Sequence, residues 1–297
     1  MLNKSPVFMN GFSFGGTNLL MNLLASHPEV SMLSGETHEV FFSKPNNKII
    51  DKAIRRFFYF PVRLVSGQDI FGKWYFEERK NIPKLLMHYI DLIFYIDKIT
   101  TSNNEFKYED VKYEASEIRN SRFFTKNMNG VVFACKRLSE IYPDATFISL
   151  IRNGFALCEG YVRRGWKADK VGKMYNDVCQ QMVIDSQSIP NYHIVRFEDM
   201  VSAPVSFMKT VYSFAGLDMN KVRKVRLQAK RSMDKDGTRR YTFGGSKDRE
   251  THWFNIEELN SYVRKDVNDN QSGLLSDQDR NSFLEHASKS MKHFGYI

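Results

Sequence analysis

Cysteine is scarce in this chain. Its 297 residues hold three (Cys135, Cys158 and Cys179), with no CxxC pair among them. A sparse, odd set excludes a disulfide framework and a thiolate zinc site of the usual spacing, and fits a reducing, cytoplasmic setting. No apolar run reaches about 18 residues, which argues against a transmembrane helix. The opening residues, MLNKSPVFMNGF, run straight into a glycine-rich loop and leave no room for a signal peptide's apolar core and cleavage site. Acidic residues are in the minority, 34 against 43 Lys and Arg, for a net charge of +9. That surplus suits nucleic acid, an anionic membrane surface or an anionic small molecule. The chain has no zinc-finger spacing and no RNP-type aromatic motif, so nucleic acid is the poorest fit of the three. With 42% hydrophobic and 26% charged residues the composition is globular, and the length allows a substantial core.

What is present is an alternation of strands and helices. PVFMN at 6–10 reads as a short buried strand, GFSFGG at 11–16 as a loop, and TNLLMNLLASHP as a helix closed by Pro28. A second strand–turn–helix unit runs through 144–166, with Phe147 to Ile151 as strand and Asn153-Gly154 as turn. YHIVRF at 192–197 reads as a third strand, and Pro204 starts a further helix. This order predicts an α/β fold with a mainly parallel, doubly wound sheet of P-loop nucleotide-binding type. Between the first two units, about 45–120 reads as a mostly helical insertion within a single domain spanning 1–297. It holds a basic-aromatic run, IRRFFYFPVR at 54–63. It also holds an amphipathic stretch at 82–96, with Ile82, Leu85, Leu86, Tyr89, Ile93 and Ile96 on one face. Residues 231–256 read as a long loop and 276–294 as a closing helix.

Gly11 to Gly16 has the length of a Walker A loop, but Thr17 and Asn18 stand where a nucleotide kinase needs Lys and then Ser or Thr. The lysine for the terminal phosphates of ATP is missing and the magnesium hydroxyl is displaced, which disfavours a kinase. The backbone chemistry survives. Successive N–H groups in a glycine turn at a helix N-terminus form an anion nest that can hold a phosphate without metal. By itself such a loop is equally an ordinary tight turn between strand and helix.

Four ordered segments carry a resemblance. GFSFGGTNLLMNLLASHPEV resembles the 5′-phosphosulfate loop of sulfotransferases, GxPRSGTTLLxxLLxxHPxV. YPDATFISLIRNG resembles their FPDAxFIxLvRdP, which leads into the 3′-phosphate motif; VRFEDMVSAP resembles their YEDLxxdP segment; and the final HFGY resembles their terminal LGY. The match covers most of 5–45 and 122–297 and leaves out the insertion. The resemblance implies transfer of a sulfonate from 3′-phosphoadenosine 5′-phosphosulfate, without metal, to a hydroxyl or amine. It implies donor contacts at Phe14, Gly15, Gly16, Thr17, Asn18, Arg152 and Gly160. Arg164 stands twelve positions after Arg152, where tyrosylprotein sulfotransferases place a second arginine.

Two positions depart from the family pattern. Phe14 replaces the loop Lys or Arg that stabilises the leaving phosphate, and Gly160 replaces the Ser of the 3′-phosphate motif. Lys126, after the apolar SRFFT and before a helix starting near 127–130, is the candidate substitute cation; the bland alternative is a surface lysine. The base that takes the acceptor's proton is sought in SGETHEV at 34–40. Glu36 in Gly-Glu-Thr resembles the Gly-Glu-Glu-Thr of tyrosylprotein sulfotransferases, His38 is the runner-up because imidazole as a group changes charge near neutrality, and Glu39 is third. The expected partner is a small-molecule, glycan or lipid acceptor, with peripheral contact to an anionic membrane open. Phe14 motivates the rival reading, a non-catalytic nucleotide-binding protein that keeps the fold.

Overall fold

The computed structural model describes residues 1–33, 37, 61, 84–100, 108, 111–228, 231–233, 239–241 and 251–297. Five strands form one parallel sheet: β1 (Val7–Gly11), β2 (Val30–Met32), β3 (Arg122–Met128), β4 (Thr146–Ile151) and β5 (Tyr192–Arg196), in the order β2-β3-β1-β4-β5. β1 lies centrally, with β3 on one side and β4 on the other, so the crevice at its C-terminal end is the switch point where doubly wound sheets bind ligands.

The strands are short runs buried on both faces, as a parallel sheet covered by helices requires. Alternation divides their side chains between two cores. Phe8, Phe123, Phe147 and Ile151 enter one core; Val7, Met9, Phe124, Ile148 and Leu150 enter the other. The helices between them are α1 (Thr17–Ala25), α2 (Lys84–Thr100), α3 (Ala115–Asn120), α4 (Cys135–Ile141), α5 (Gly154–Val162), α6 (Ala168–Ser188), α7 (Phe197–Ser202) and α8 (Pro204–Phe214). Leu20, Leu23 and Leu24 of α1 pack on one face with Met208, Val211 and Tyr212 of α8. α2 and α6 cover the other face, together with the C-terminal helix Asp277–His293. On that side Phe8 stacks on Phe147 with ring centroids 5.2 Å apart, and Phe147 on Tyr192 at 5.8 Å. Each such buried side chain contributes about 1.5–3 kcal/mol.

A buried polar cluster fixes the strand register just below the loop. Asn10 Nδ2 donates to Ser149 Oγ (2.9 Å) and Tyr192 Oη (3.3 Å), while its Oδ1 accepts from Asn127 Nδ2 (2.8 Å). A one-residue slip of β1 would strand these groups in apolar surroundings, at a cost of roughly 1–3 kcal/mol each.

The remaining elements are β6 (Val225–Gln228), β7 (Arg231–Met233), β8 (Arg239–Tyr241), β9 (Thr251–Phe254), α9 (Leu259–Tyr262), α10 (Val267–Gly273) and α11 (Asp277–His293). The expected loop at 231–256 is therefore not all loop. β9 pairs antiparallel with β6, and β7 with β8.

The expected helix at 82–96 is present as α2, but its buried stripe is Leu86, Ile90, Ile93 and Phe94. Leu85 and Ile96 point outward, 82% and 45% exposed. Of the expected face, Leu86 and Ile93 are buried and Tyr89 packs against the core; because the helix carries apolar residues on both sides, the buried stripe is rotated to take in Ile90 and Phe94. The basic-aromatic run at 54–63, Pro61 apart, lies outside the described residues, as does much of the proposed insertion. No helix among the described residues is long and apolar enough to cross a membrane.

Candidate active site

The chain turns from β1 into α1 through Gly11–Gly16. Gly15 N donates to Phe12 O at 3.0 Å, closing a tight turn. Phe14 (φ 64°) and Gly16 (φ 86°) both lie in the left-handed region. Gly16 is required twice over. Its φ disfavours any side chain, and a Cβ there would fall 2.2 Å from the Phe197 ring. Gly16 is also the N-cap of α1 and offers no side-chain cap, and no acidic residue occupies the first turn. The helix's leading N–H groups and positive dipole end are thus suited to an anion.

Three cations touch this loop. Arg152 follows β4 directly and is 3% exposed. Its Nη1 donates to Phe14 O at 2.8 Å, its Nε to Asn268 Oδ1 at 2.7 Å and its Nη2 to Gln271 Oε1, with the guanidinium 4.3 Å over the Phe197 ring. Burial pulls its pKa down to about 10, and Glu198 and Glu159 oppose that shift, so it stays charged at neutral pH. Lys126 is 4% exposed, and its Nζ donates to Asn18 Oδ1 at 2.8 Å. β3 continues to Met128, so Lys126 sits within the strand and not at its end, and a 3₁₀ turn over Asn129–Ala134 follows instead of an α-helix. Arg164 lies just past α5, exposed, with its Cζ 3.9 Å over the Phe14 ring and its Nη1 donating to Gly160 O.

Gly160 meets Phe14 directly: a Cβ at 160 would sit 3.2 Å from Phe14 Cβ. The two departures from the family pattern are therefore neighbours. Gly160 does more than omit a hydroxyl, because a Cβ there would be tight against Phe14 Cβ, with the ring at ordinary contact distance. Tyr161 completes that contact, edge-on to Phe14 at 4.9 Å.

A second tier holds the edge together. Glu198 opens α7. Its Oε1 accepts from Asn153 N (2.9 Å) and Asn268 Nδ2, and its Oε2 accepts from Tyr296 Oη (2.7 Å). Burial and the neighbouring Glu198 raise the Tyr296 hydroxyl far above its ordinary value, so it remains a donor. The VRFED and HFGY segments thus meet behind Arg152. Glu198 and Tyr296 lay within segments that carried the resemblance, yet sequence reasoning gave them no role. Asn268 and Gln271, one turn apart on α10, bore no motif at all.

The structure brings Phe14, Asn18, Lys126, Arg152, Gly160 and Arg164 into one cluster around the loop, with Gly15, Gly16 and Thr17 in its backbone. Glu36, His38 and Glu39 lie outside the described residues. Between them Thr37 is buried, and its Oγ1 lies 2.6 Å from Thr125 Oγ1, one residue before Lys126.

Comparison with known proteins follows this geometry. Among solved structures, the sulfotransferase domain of the Synechococcus PCC 7002 olefin synthase shares 14% identity, with 97% of this chain and 95% of that one covered and a TM-score of 0.51. The sulfotransferase domain from the curacin biosynthetic pathway shares 14% over 96% and 98%, at a TM-score of 0.48. Mouse sulfotransferase SULT7A1, solved with PAP, shares 14% over 97% and 85%, at 0.44. The first of these likenesses shows the fold. No curated protein matches the sequence. The model of the Sulfotransferase family matches residues 6–221. The chain, an α/β protein with a mainly parallel sheet, belongs to the sulfotransferase family.

Proposed function

We propose that this sulfotransferase takes its sulfonate from 3′-phosphoadenosine 5′-phosphosulfate and passes it to a hydroxyl or amine of a glycan, lipid or small metabolite. One observation carries the reading: the hydrogen bond from buried Arg152 to Phe14 O, which sets a charged fork beside the uncapped turn at one sheet edge. The donor has two separate phosphate groups, and this edge offers an anion nest and a cation next to each other. Asn268 and Gln271 now hold the Arg152 fork, and amide side chains of this kind can rotate away when a phosphate arrives.

In the reaction, the acceptor atom forms its bond to sulfur as the bond from sulfur to the 5′-phosphate oxygen breaks. The electron pair leaves with the 5′-phosphate, and the acceptor's proton passes to a base. The N–H groups at Gly15–Asn18 stabilise the departing charge, and Lys126 adds a cation from the Asn18 side. Glu36 or His38 takes the proton on sequence grounds. We assign the whole chain, 1–297, to this one domain. We place it in the cytoplasm, in keeping with its three free, buried cysteines.

Phe14, in place of a loop cation, favours a second reading: a protein that binds the nucleotide without catalysis. Adenosine 3′,5′-bisphosphate should raise the melting temperature by linkage, and AMP should do so less. Equal stabilisation by AMP argues against the donor assignment. Labelled sulfonate transfer to a panel of glycans, lipids and metabolites then separates enzyme from binding protein.

A further inference from the structure

The loop Gly11–Asn18 contains no charged side chain. A helix N-terminus supplies the equivalent of only about half a positive charge, while a 5′-phosphate with its sulfonate carries more than one negative charge. The deficit has to be met from outside the loop. Arg152 and Lys126 reach it from below and are 3% and 4% exposed. Arg164 reaches it from the solvent side, over a Phe14 ring that is itself 39% exposed.

We propose that Arg164, held on the Phe14 ring, is the cation that meets the 5′-phosphate end of the donor. This rests on the donor reading above and goes beyond the resemblance, which places a second arginine twelve positions after Arg152. The geometry is built for it in three ways. Phe14 adopts a left-handed φ that a bulky side chain rarely accepts, which turns its ring out of the loop and against Tyr161. Gly160 lacks a Cβ, which would stand only 3.2 Å from Phe14 Cβ at the root of this side chain. Arg164 stands four residues on, just past the end of α5, and its hydrogen bond to Gly160 O folds the guanidinium back over the aromatic face. Phe14 is thus a positioning residue: the loop position holds the platform, and the turn after α5 delivers the charge.

Nucleotide binding tests the assignment end by end. Arg164→Ala should weaken adenosine 3′,5′-bisphosphate and AMP by about 10- to 100-fold, the scale of a charge-assisted hydrogen bond, and leave adenosine 3′-monophosphate unchanged. Phe14→Leu should reproduce much of that loss and Phe14→Tyr should not, while Phe14→Leu combined with Arg164→Ala should be little worse than Arg164→Ala alone. Both side chains are exposed, so the variants keep the fold. Loss confined to the 3′-monophosphate, or no loss, overturns the assignment while the donor reading stands. A wild type that binds none of the three nucleotides overturns both.

Discussion

Two arginines sit at opposite edges of the same sheet. Arg122 opens β3 at the N-terminal edge, and Arg152 follows β4 at the C-terminal edge. Arg122 is clasped by acceptors that cannot leave: Ser5 O at 2.9 Å and Ala215 O, both main chain, with Thr146 Oγ1 at 3.2 Å. Arg152 has one main-chain partner, and that partner belongs to the phosphate loop; its others are the side-chain amides of Asn268 and Gln271. A fork closed by carbonyls is a structural tie. A fork closed by rotatable amides can be released to an anion. The N-terminal edge holds a polar cavity of about 470 Å³, but Glu29 and Asp144 line it beside Lys4 and Arg122, which suits no dianion. Burial lowers the pKa of both arginines, so the difference lies in what surrounds them.

The largest expected effect belongs to the C-terminal edge. Lys126→Ala should cut turnover by about 10²–10³ with a much smaller loss of donor affinity, as when a transition-state charge partner is removed. Steady-state rates beside a titration of adenosine 3′,5′-bisphosphate check this, and an unchanged rate removes Lys126 from the chemistry. Arg152→Ala should weaken binding of the bisphosphate by about 2–3 kcal/mol while the protein stays folded; calorimetry reads it, and equal affinity would dissolve the contrast between the edges. Arg122→Ala should do the reverse. It should lower unfolding free energy by about 2 kcal/mol in a urea titration and leave nucleotide affinity alone.

The smallest effect concerns Lys98, which closes the N-terminal edge by donating to Arg119 O (2.8 Å) and Ser121 O (2.6 Å). Burial brings its pKa down to about 8 from an ordinary 10.5. Between those values the unfolded chain binds the proton and the folded one does not. This group's contribution to stability therefore rises with pH from about 8 to about 10.5. Lys98→Met should flatten that rise in melting temperature against pH, and an identical slope in both proteins would sink the idea.

The sequence made much of this edge readable, for a physical reason. Parallel strands buried on both faces are written as short apolar runs, and a glycine turn at a helix start leaves its own mark, so β1, β4, β5, the loop and the place of Arg152 were all legible. Features set by packing between distant segments were not. β6 and β9 pair across a stretch rich in Arg, Lys and Gly, whose composition reads as loop. Lys126 reads as a strand end because the apolar segment SRFFT stops just before it, but the side chains of Lys126 and Asn127 are buried in hydrogen bonds within the sheet and at the loop, and the strand runs on through them. Phe14 and Gly160 read as two separate losses because they lie far apart along the chain, and only the folded contact joins them.

That contact also ties together the positions at which such a site can change. A serine at 160 would bring its Cβ to 3.2 Å from Phe14 Cβ, a contact tight by a few tenths of an ångström. A basic residue at 14 would face the guanidinium of Arg164 at the place the ring now occupies. Position 14 is thus coupled to both 160 and 164, so a substitution at any one of the three changes the setting of the other two.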